Sequence, residues 1–159
     1  MNRIFKVALI VVATGVVIAG GIALYLFNMP HRDVQSAAVD YERSATDLVE
    51  EYLEDAEKAN AKYLQEEGDS TIFAVSGKIS SIRKNLQGNT VVLLKDESGK
   101  AGVSCTFTKE TNASAAGVQI GQSVTVKGVI RSGAGFDEDL ELYENVILEK
   151  CDLLLESVK

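Results

Sequence analysis

A run of 21 residues without a charged side chain lies near the start of this chain and constrains its fold more than any other feature. It occupies residues 7–27 and reads VALIVVATGVVIAGGIALYLF. A helix needs about 20 apolar residues to cross a bilayer, and every face of a helix formed by this run is apolar. The run therefore predicts a transmembrane anchor at residues 7–27, behind a short tail at residues 1–6.

The alternatives to an uncleaved anchor are a cleaved signal peptide and a buried soluble helix. A signal peptide has an apolar core of about 7–15 residues, which is shorter than this run. Arg3 and Lys6 precede the run, and Arg32 follows it. Because positive charge favours the cytoplasmic side, we expect a single-pass membrane protein with its N-terminus in the cytoplasm and its domain on the extracytoplasmic, or periplasmic, side.

A stripe of small residues runs along the predicted anchor at four-residue spacing and consists of Gly15, Ala19 and Ala23. Small side chains allow two helices to approach closely within a membrane. Such residues are also common in anchors that do not associate. The stripe is a candidate surface for self-association of the chain.

The part of the chain beyond the anchor is acidic. Removing the positive charges of Arg3 and Lys6 from the net charge of -7 leaves -9 on residues 28–159. Nucleic-acid affinity depends largely on Lys and Arg side chains that displace counterions from phosphates, and an acidic domain also repels anionic lipid head groups. The charge therefore disfavours nucleic acid as the ligand.

Hydrophobic spacing divides the rest of the chain into three parts. Residues 28–44 are polar and predict a stalk. Apolar residues then recur at the three-to-four spacing of one helical face between Ala45 and Tyr63, which predicts an amphipathic helix over residues 45–65 that packs on the domain. Residues 70–155 show mainly the two-residue alternation of strands.

The strand pattern of residues 70–155 has a definite order. Strands are predicted at residues 73–79, 91–94 and 103–107, and two more at 124–130 and 140–153. A short helix or loop at 108–118 separates the two groups, and an acidic loop is predicted at 132–139. Gly77 and Gly128 interrupt alternating strands, as expected where a small barrel bends its strands. The order predicts a mainly β (α+β) fold, a five-stranded Greek-key OB-fold barrel.

Five short segments resemble the tRNA_anti-like family, which consists of bacterial OB-fold domains often found behind an N-terminal anchor. They are 60–63 (NAKY), 75–79 (VSGKI), 103–107 (VSCTF), 121–128 (GQSVTVKG) and 148–151 (LEKC). The resemblance covers residues 45–153 and rests on the order and spacing of the segments. It implies the OB-fold and does not imply tRNA binding or any catalytic residue.

Cys105 and Cys151 are the only cysteines of the chain. The third and fifth strands of an OB barrel are neighbours, so the two side chains are predicted to meet in the barrel interior at a separation that a disulfide permits. An extracytoplasmic location favours the bond. The sequence leaves two interpretations open, a structural disulfide and a pair of buried thiols.

The outer face of the second and third strands, with the loops after strands one and four, is the usual ligand surface of an OB-fold. Nucleic-acid-binding members carry aromatic and basic side chains there. The candidates in this chain are few and scattered: Arg83, Lys84, Lys95, Lys100, Ser104, Thr106, Arg131 and Phe136.

Three adjacent acids, Asp137, Glu138 and Asp139, are a weak candidate for a cation site, because they lack the alternating spacing of an EF-hand loop. No nucleophile with a base, metal-ligand cluster or phosphate loop is recognisable. We therefore expect a non-enzymatic binding module without a cofactor, whose partner is a protein, peptide or small envelope ligand. A nucleic-acid-binding domain and a cation-binding envelope stress protein are the alternatives.

Overall fold

The computed structural model describes residues 3–27, 34–64 and 71–154, and the chain divides into two compact units, residues 1–32 and 33–159. In the first unit, helix α1 spans Arg3–Phe27. The side chains described over residues 14–25 of α1 are all exposed. Across the described residues, no helix combines the length and the hydropathy that a membrane crossing requires.

The described residues of the second unit, 34–64 and 71–154, contain two helices, eight strands and one short 3₁₀ helix. In chain order they are β1 Tyr41–Ser44, α2 Ala45–Glu54, α3 Ala56–Tyr63, β2 Ile72–Lys84, β3 Thr90–Leu94, β4 Val103–Phe107, the 3₁₀ helix Ser114–Gly117, β5 Ser123–Ser132, β6 Gly135–Asp137, β7 Leu142–Glu144 and β8 Val146–Leu154.

Five of these strands close into a barrel in the order predicted for an OB-fold. The strands pair in the order β2-β3-β4-β8-β5, and β5 also pairs with β2, which closes the barrel. All neighbours are antiparallel except β4 and β8, which are parallel. The short helical segment lies between the third and fourth barrel strands, as predicted. The mainly β fold and the closed five-stranded barrel are confirmed.

The barrel core is formed by alternate side chains of each strand. On β4, Val103, Cys105 and Phe107 are buried and belong to the main hydrophobic cluster, which also contains Val92 and Leu94 of β3. This two-residue period places one face of each strand inside. Complete burial of a large aliphatic or aromatic side chain contributes about 1.5–3 kcal/mol, so the core supplies the main stabilisation of the barrel.

The two glycines within barrel strands allow close packing of the backbone. A Cβ on Gly128 would lie 2.9 Å from the Cys151 Sγ, and one on Gly77 would lie 3.0 Å from the Cβ of Ala45. Neither glycine has a positive φ. Both glycines give clearance to a neighbouring side chain, and Gly128 also lies at a shift in the register between β5 and β8, as expected where a barrel strand bends.

Two helices, in place of the single helix predicted over residues 45–65, pack against the barrel. Asp55 separates them, with non-helical backbone angles (φ -155°, ψ 89°), and its carboxylate accepts a hydrogen bond from the Lys58 N–H, which caps α3. Asp favours this capping position because its side chain replaces a missing helical partner. Residues 65–70, with the predicted end of the helix, lie outside the described residues.

The described part of the predicted stalk, residues 34–44, is packed on the barrel, which corrects that prediction. Tyr41–Ser44 form β1, which pairs in parallel with Phe73–Ser76 of β2. The Tyr41 ring stacks on Phe73 with centroids 5.5 Å apart and meets Tyr63 of α3 edge-on at 5.2 Å. The sequence did not predict this strand, because four residues are too few to show the two-residue alternation of a strand. Residues 28–33, the first part of the predicted stalk, lie outside the described residues.

Residues 34–40, here called the strap, cross the outer surface of β2 and β5. Val34 packs with Ile72 and Val129 in a small second cluster. Lys127 is buried, and its Nζ donates a hydrogen bond of 2.9 Å to the Gln35 carbonyl and a short one to the Ala37 carbonyl. Paired backbone carbonyls offset part of the cost of burying the ammonium.

The predicted acidic loop and the start of the predicted fifth strand form a β-hairpin instead. β6 and β7 pair in antiparallel register, with Phe136 opposite Tyr143. Asn145 then separates β7 from β8, and its side-chain oxygen accepts a hydrogen bond from the Gly102 N–H at 2.8 Å. Because apolar residues lie on both sides of this break, the run 140–153 resembles one strand in the sequence.

Candidate functional site

The outer face of β3 and β4, the predicted ligand face, is less polar than expected. Leu93, Ser104 and Ile147 are cross-strand partners on β3, β4 and β8 and share this face. Leu93 and Ile147 are half-buried, and Ser104 is only 4% exposed. Ser104 is therefore not an exposed ligand-face residue, because it lies between two larger aliphatic side chains. Thr106 is half-buried.

The predicted basic residues lie at three separate places in the fold. Arg83 and Lys84 are exposed at the end of β2, before the turn at residues 85–89, and Arg131 is exposed near the end of β5. Lys95 and Lys100 belong to the β3–β4 connection, where the Lys95 Nζ donates to the Lys100 carbonyl at 3.3 Å. The Lys100 Nζ lies 5.4 Å from the centre of the Tyr143 ring.

Phe136 lies within β6 and not at a loop tip. Its ring packs on Tyr143 with centroids 4.9 Å apart, yet Phe136 remains 51% and Tyr143 36% exposed. Leu140 and Leu142 of the same hairpin are also exposed. Of the seven large apolar side chains described as exposed within residues 34–154, four therefore lie on this hairpin. Clusters of exposed apolar side chains mark interaction sites.

The acids of the hairpin surround this apolar surface. Residues 135–144 contain five acidic residues and no basic one. An oxygen of Asp137 accepts hydrogen bonds from the Asp139 and Leu140 N–H groups at 2.9 Å each, so this carboxylate stabilises the turn. Within the described residues, no three His, Cys, Asp or Glu side chains converge as metal ligands. Asp137, Glu138 and Asp139 are thus not brought together as a cation site.

The two cysteines meet in the barrel interior. Both are buried and carry free thiols. Burial, followed by a hydrogen bond with the Cys105 thiol, raises the pKa of the Cys151 thiol well above its usual value. A thiol with a raised pKa is a poor nucleophile at neutral pH. Of the two interpretations that the sequence left open, the structure has the pair of buried thiols, and a disulfide between Cys105 and Cys151 stays a prediction.

Two clefts lie beside the β3–β4 connection; Lys95, a predicted ligand-face residue, lines both, and Lys100 lines the second. One of 790 Å³ is lined by the start of α2 and by β2, β5 and the end of β8, and contains several hydroxyl side chains, among them Ser76, Ser123 and Thr125. The other, of 470 Å³, lies between α2 and the β3–β4 connection. Neither cleft is lined by Ser104 or Thr106.

Comparison with known proteins assigns the family. The sequence profile of the tRNA_anti-like family matches residues 1–140, most of the chain. The chain belongs to the tRNA_anti-like family. A search of curated proteins finds no matching sequence.

A solved structure shares the fold of this tRNA_anti-like protein. It is that of a "putative nucleic acid-binding lipoprotein" from Klebsiella pneumoniae subsp. pneumoniae, with 16% sequence identity and a TM-score of 0.54. The match covers 72% of this chain and 92% of the other. At this identity the likeness shows the fold alone.

Sequence reasoning did not find three features of this tRNA_anti-like protein: the β6–β7 hairpin as a unit, the Tyr143 partner of Phe136, and the cleft beside α2. The hairpin has a recognisable signal, because Asp137 begins a turn-forming acidic stretch between two aromatic residues. The cleft has no such signal, since it depends on the distance between a helix and a loop that are about 50 residues apart in the chain.

Proposed function

We propose that this protein is a non-enzymatic, membrane-anchored OB-fold module whose β6–β7 hairpin binds a protein or peptide with apolar and basic side chains. The observation that carries the proposal is the exposed Phe136–Tyr143 pair, with Leu140 and Leu142 beside it. Aromatic side chains supply much of the energy at the centres of protein interfaces.

The position of the hairpin within the barrel supports a binding role. It connects β5 to β8, the fourth and fifth strands of the barrel. This connection is one of the two loops that flank the ligand surface of an OB-fold. The hairpin therefore extends a region that this fold commonly uses for recognition.

The charge of the hairpin favours a basic partner. Five acidic residues among residues 135–144, on a domain of net charge -9, create a negative potential around the apolar surface. Complementary charge speeds the encounter with a positively charged partner and discourages an acidic one. The same field repels nucleic-acid phosphates.

The membrane part of the proposal rests on the uncharged run at residues 7–27 and on the continuous helix α1. Arg3 and Lys6 favour an N-terminus in the cytoplasm, which would place the domain outside it. The solved structure of similar fold is described as a lipoprotein, and this name agrees with an envelope location.

Nucleic-acid binding is the second candidate. Arg83 and Lys84 are exposed beside the turn at residues 85–89, which is the other recognition loop of an OB-fold. The solved structure of similar fold carries a nucleic-acid-binding description. Two cations on an acidic domain supply little counterion release, so this candidate ranks below peptide binding.

The test uses the full-length chain in phosphatidylcholine nanodiscs and two labelled five-residue peptides with capped termini. One alternates Lys with Leu and Tyr, and the other carries Glu in place of Lys. We expect only the basic peptide to bind, in excess over empty nanodiscs. Replacing Phe136 and Tyr143 together by Ser is expected to weaken binding about tenfold, because it removes the aromatic contact surface.

A matched control replaces two exposed apolar residues outside the hairpin and outside the turn at residues 85–89, Ile120→Ser with Leu154→Ser, and is expected to keep full peptide affinity. Equal loss in both double variants, or binding of the acidic peptide, would contradict the proposal. Single-stranded DNA and RNA are titrated in parallel at low salt. Binding that is tight and falls steeply with salt would favour the nucleic-acid candidate.

A further inference from the structure

The cleft between α2 and the β3–β4 connection is a second concave surface, separate from the hairpin surface of the proposed function. Its volume is 470 Å³, within the range of about 300–1,000 Å³ typical of small-molecule sites. At one end, the Thr46 hydroxyl donates a hydrogen bond of 2.5 Å to the Asp96 carboxylate. This bond joins the helix to the connection and holds the two walls of the cleft in place.

The floor of the cleft is aliphatic. Ala45, Val49 and Leu53 lie four residues apart on α2 and present one stripe of the helix to the cleft, opposite Leu94 and Ala101. Val49, Leu94 and Ala101 are buried, and Leu53 is half-buried. An apolar side chain of a ligand would gain about 25 cal/mol for each Å² of surface it removes from water on this floor.

The helical wall of the cleft carries two carboxylates. Glu50 and Glu54 are four residues apart, exposed, and line the cleft. Within the described residues, neither carboxylate makes a hydrogen bond or an ion pair. Both are therefore available to an ammonium group.

The opposite wall carries two ammonium groups. Lys95 and Lys100 line the cleft on the β3–β4 connection. The Lys95 Nζ donates one hydrogen bond, to the Lys100 carbonyl, and an ammonium has three protons to donate. Lys95 thus retains donors for a carboxylate of a ligand. The helical wall is negative, the connection wall carries the two ammonium groups beside the Asp96 carboxylate that Thr46 binds, and the floor between them is apolar.

We propose that this cleft binds short apolar peptides through both of their free termini. The peptide amine would lie at Glu50 and Glu54, the carboxylate at Lys95 and Lys100, and an apolar side chain on the floor formed by Val49 and its neighbours. A ligand of one charge alone would leave one wall unmatched. The inference goes beyond the proposed function, because it concerns a different surface and a peptide recognised through its free termini.

The experiment is calorimetric titration of leucyl-leucine into the full-length chain in nanodiscs, with empty nanodiscs as the blank. We expect one site per chain with a dissociation constant of about 0.1–1 mM, as the size of the ligand allows. N-acetyl-leucyl-leucinamide has the same side chains without either charge. It is expected to bind about tenfold or more weakly, because two charge-assisted hydrogen-bond sites are lost.

Variants assign the site. Glu50→Gln with Glu54→Gln is expected to weaken leucyl-leucine binding about tenfold, while the control Glu42→Gln with Glu57→Gln, two exposed carboxylates outside the cleft, leaves it unchanged. The Phe136→Ser variant is also expected to bind the dipeptide normally, which separates this inference from the hairpin proposal. Three results would overturn the inference. The first is absence of binding at 10 mM, about ten times the weakest expected dissociation constant. The others are equal affinity for the uncharged analogue and an unchanged affinity of the Glu50 and Glu54 variant for leucyl-leucine.

Discussion

Tyr52 of α2 packs the helical layer against the barrel, as part of the main hydrophobic cluster. It is 1% exposed, and burial, chiefly, raises the pKa of its phenol to about 12. Its hydroxyl is buried without a hydrogen-bond partner among the described atoms, so the ring contributes through packing. The ring occupies the space that a side chain on Gly133 would need, since a Cβ there would overlap it.

Gly133→Ala is therefore expected to lower the free energy of unfolding by about 2 kcal/mol, the usual cost of overpacking a filled site. Gly135→Ala is the matched control, because a Cβ at Gly135 has no neighbour within 4 Å. Urea unfolding of the two variants measures the difference. Equal stability of both variants would show that Tyr52 moves aside freely.

Glu51 is the charged residue that links α2, α3 and β1. Its carboxylate accepts hydrogen bonds from the Tyr63 hydroxyl at 2.5 Å, Lys62 at 3.1 Å and Arg43 at 3.3 Å. These bonds, that of Tyr63 first, lower the pKa of Glu51 below its ordinary value. A lowered carboxyl pKa stabilises the fold above the ordinary pKa, and this stabilisation is lost as the pH falls through the lowered value.

Glu51→Gln is expected to lower the free energy of unfolding by about 1 kcal/mol at pH 7. This value is at the low end for a charged hydrogen-bonding group, because a third of the Glu51 side chain is exposed. The deficit relative to the wild type should shrink as the pH falls below 4.5, the ordinary pKa of Glu. Urea unfolding at several pH values measures this deficit, with Glu57→Gln as the control at an exposed position. A deficit that is constant with pH would refute the ionic role.

Among the elements, the strap is joined to the barrel by a few hydrogen bonds, one of them from the Gln35 side chain to the Lys150 carbonyl at 3.2 Å. The Lys127 ammonium donates hydrogen bonds to the backbone carbonyls of Gln35 and Ala37 in the strap. At the end of the strap, Asp40 and Ile72 exchange two hydrogen bonds of 2.8 Å each. Elements with few buried contacts open before the rest of a fold. The strap is thus expected to be a separate unit of local opening.

Lys127→Met is expected to speed amide hydrogen exchange in residues 34–40 about tenfold, because a methionine cannot donate to the two carbonyls. Exchange in the β3 and β4 amides is expected to stay unchanged. Lys109→Met, at an exposed position, is the control, and mass spectrometry of peptic fragments is the measurement. Faster exchange throughout the barrel would mean that the strap does not open separately.

The parallel strands β4 and β8 bring the two cysteines together, although 46 positions separate them in the chain. A disulfide closing a loop of this size is worth about 4 kcal/mol in the chain-entropy model. If the domain lies outside the cytoplasm and the bond forms there, protein purified without reductant should resist thiol labelling in denaturant and should label at both cysteines after reduction. Labelling of unreduced, denatured protein would show that Cys105 and Cys151 remain thiols.

For the whole molecule, the decisive question is where the domain resides. If residues 7–27 anchor the chain, the full-length protein should stay in the membrane pellet after carbonate extraction, and a chain that lacks residues 1–27 should be released. A reporter that is active only in the cytoplasm, fused after Lys159, is expected to be silent. Strong activity of that reporter would reverse the proposed orientation, and release of the full-length chain would remove the anchor.

Local patterns in the sequence determined the barrel. The alternation at Val103, Cys105 and Phe107 and the apolar run at residues 91–94 follow from the two-residue period of a strand, so strand positions and their order are readable without coordinates. The OB order of strands, three before and two after a helical connection, follows from this pattern. The neighbouring positions of Cys105 and Cys151 follow in turn from that strand order.

The tertiary structure alone decided which surfaces are available for binding. In the two-residue alternation of β4, Ser104 falls on the outward face. It is nevertheless buried, because Leu93 and Ile147 flank it. Lys127 resembles an exposed strand lysine in the sequence and is covered by the strap. Burial and clefts depend on contacts between segments far apart in the chain, whereas periodicity reports only on neighbours within a segment. For this reason the sequence predicted the barrel, and the structure was needed to find its candidate binding surfaces.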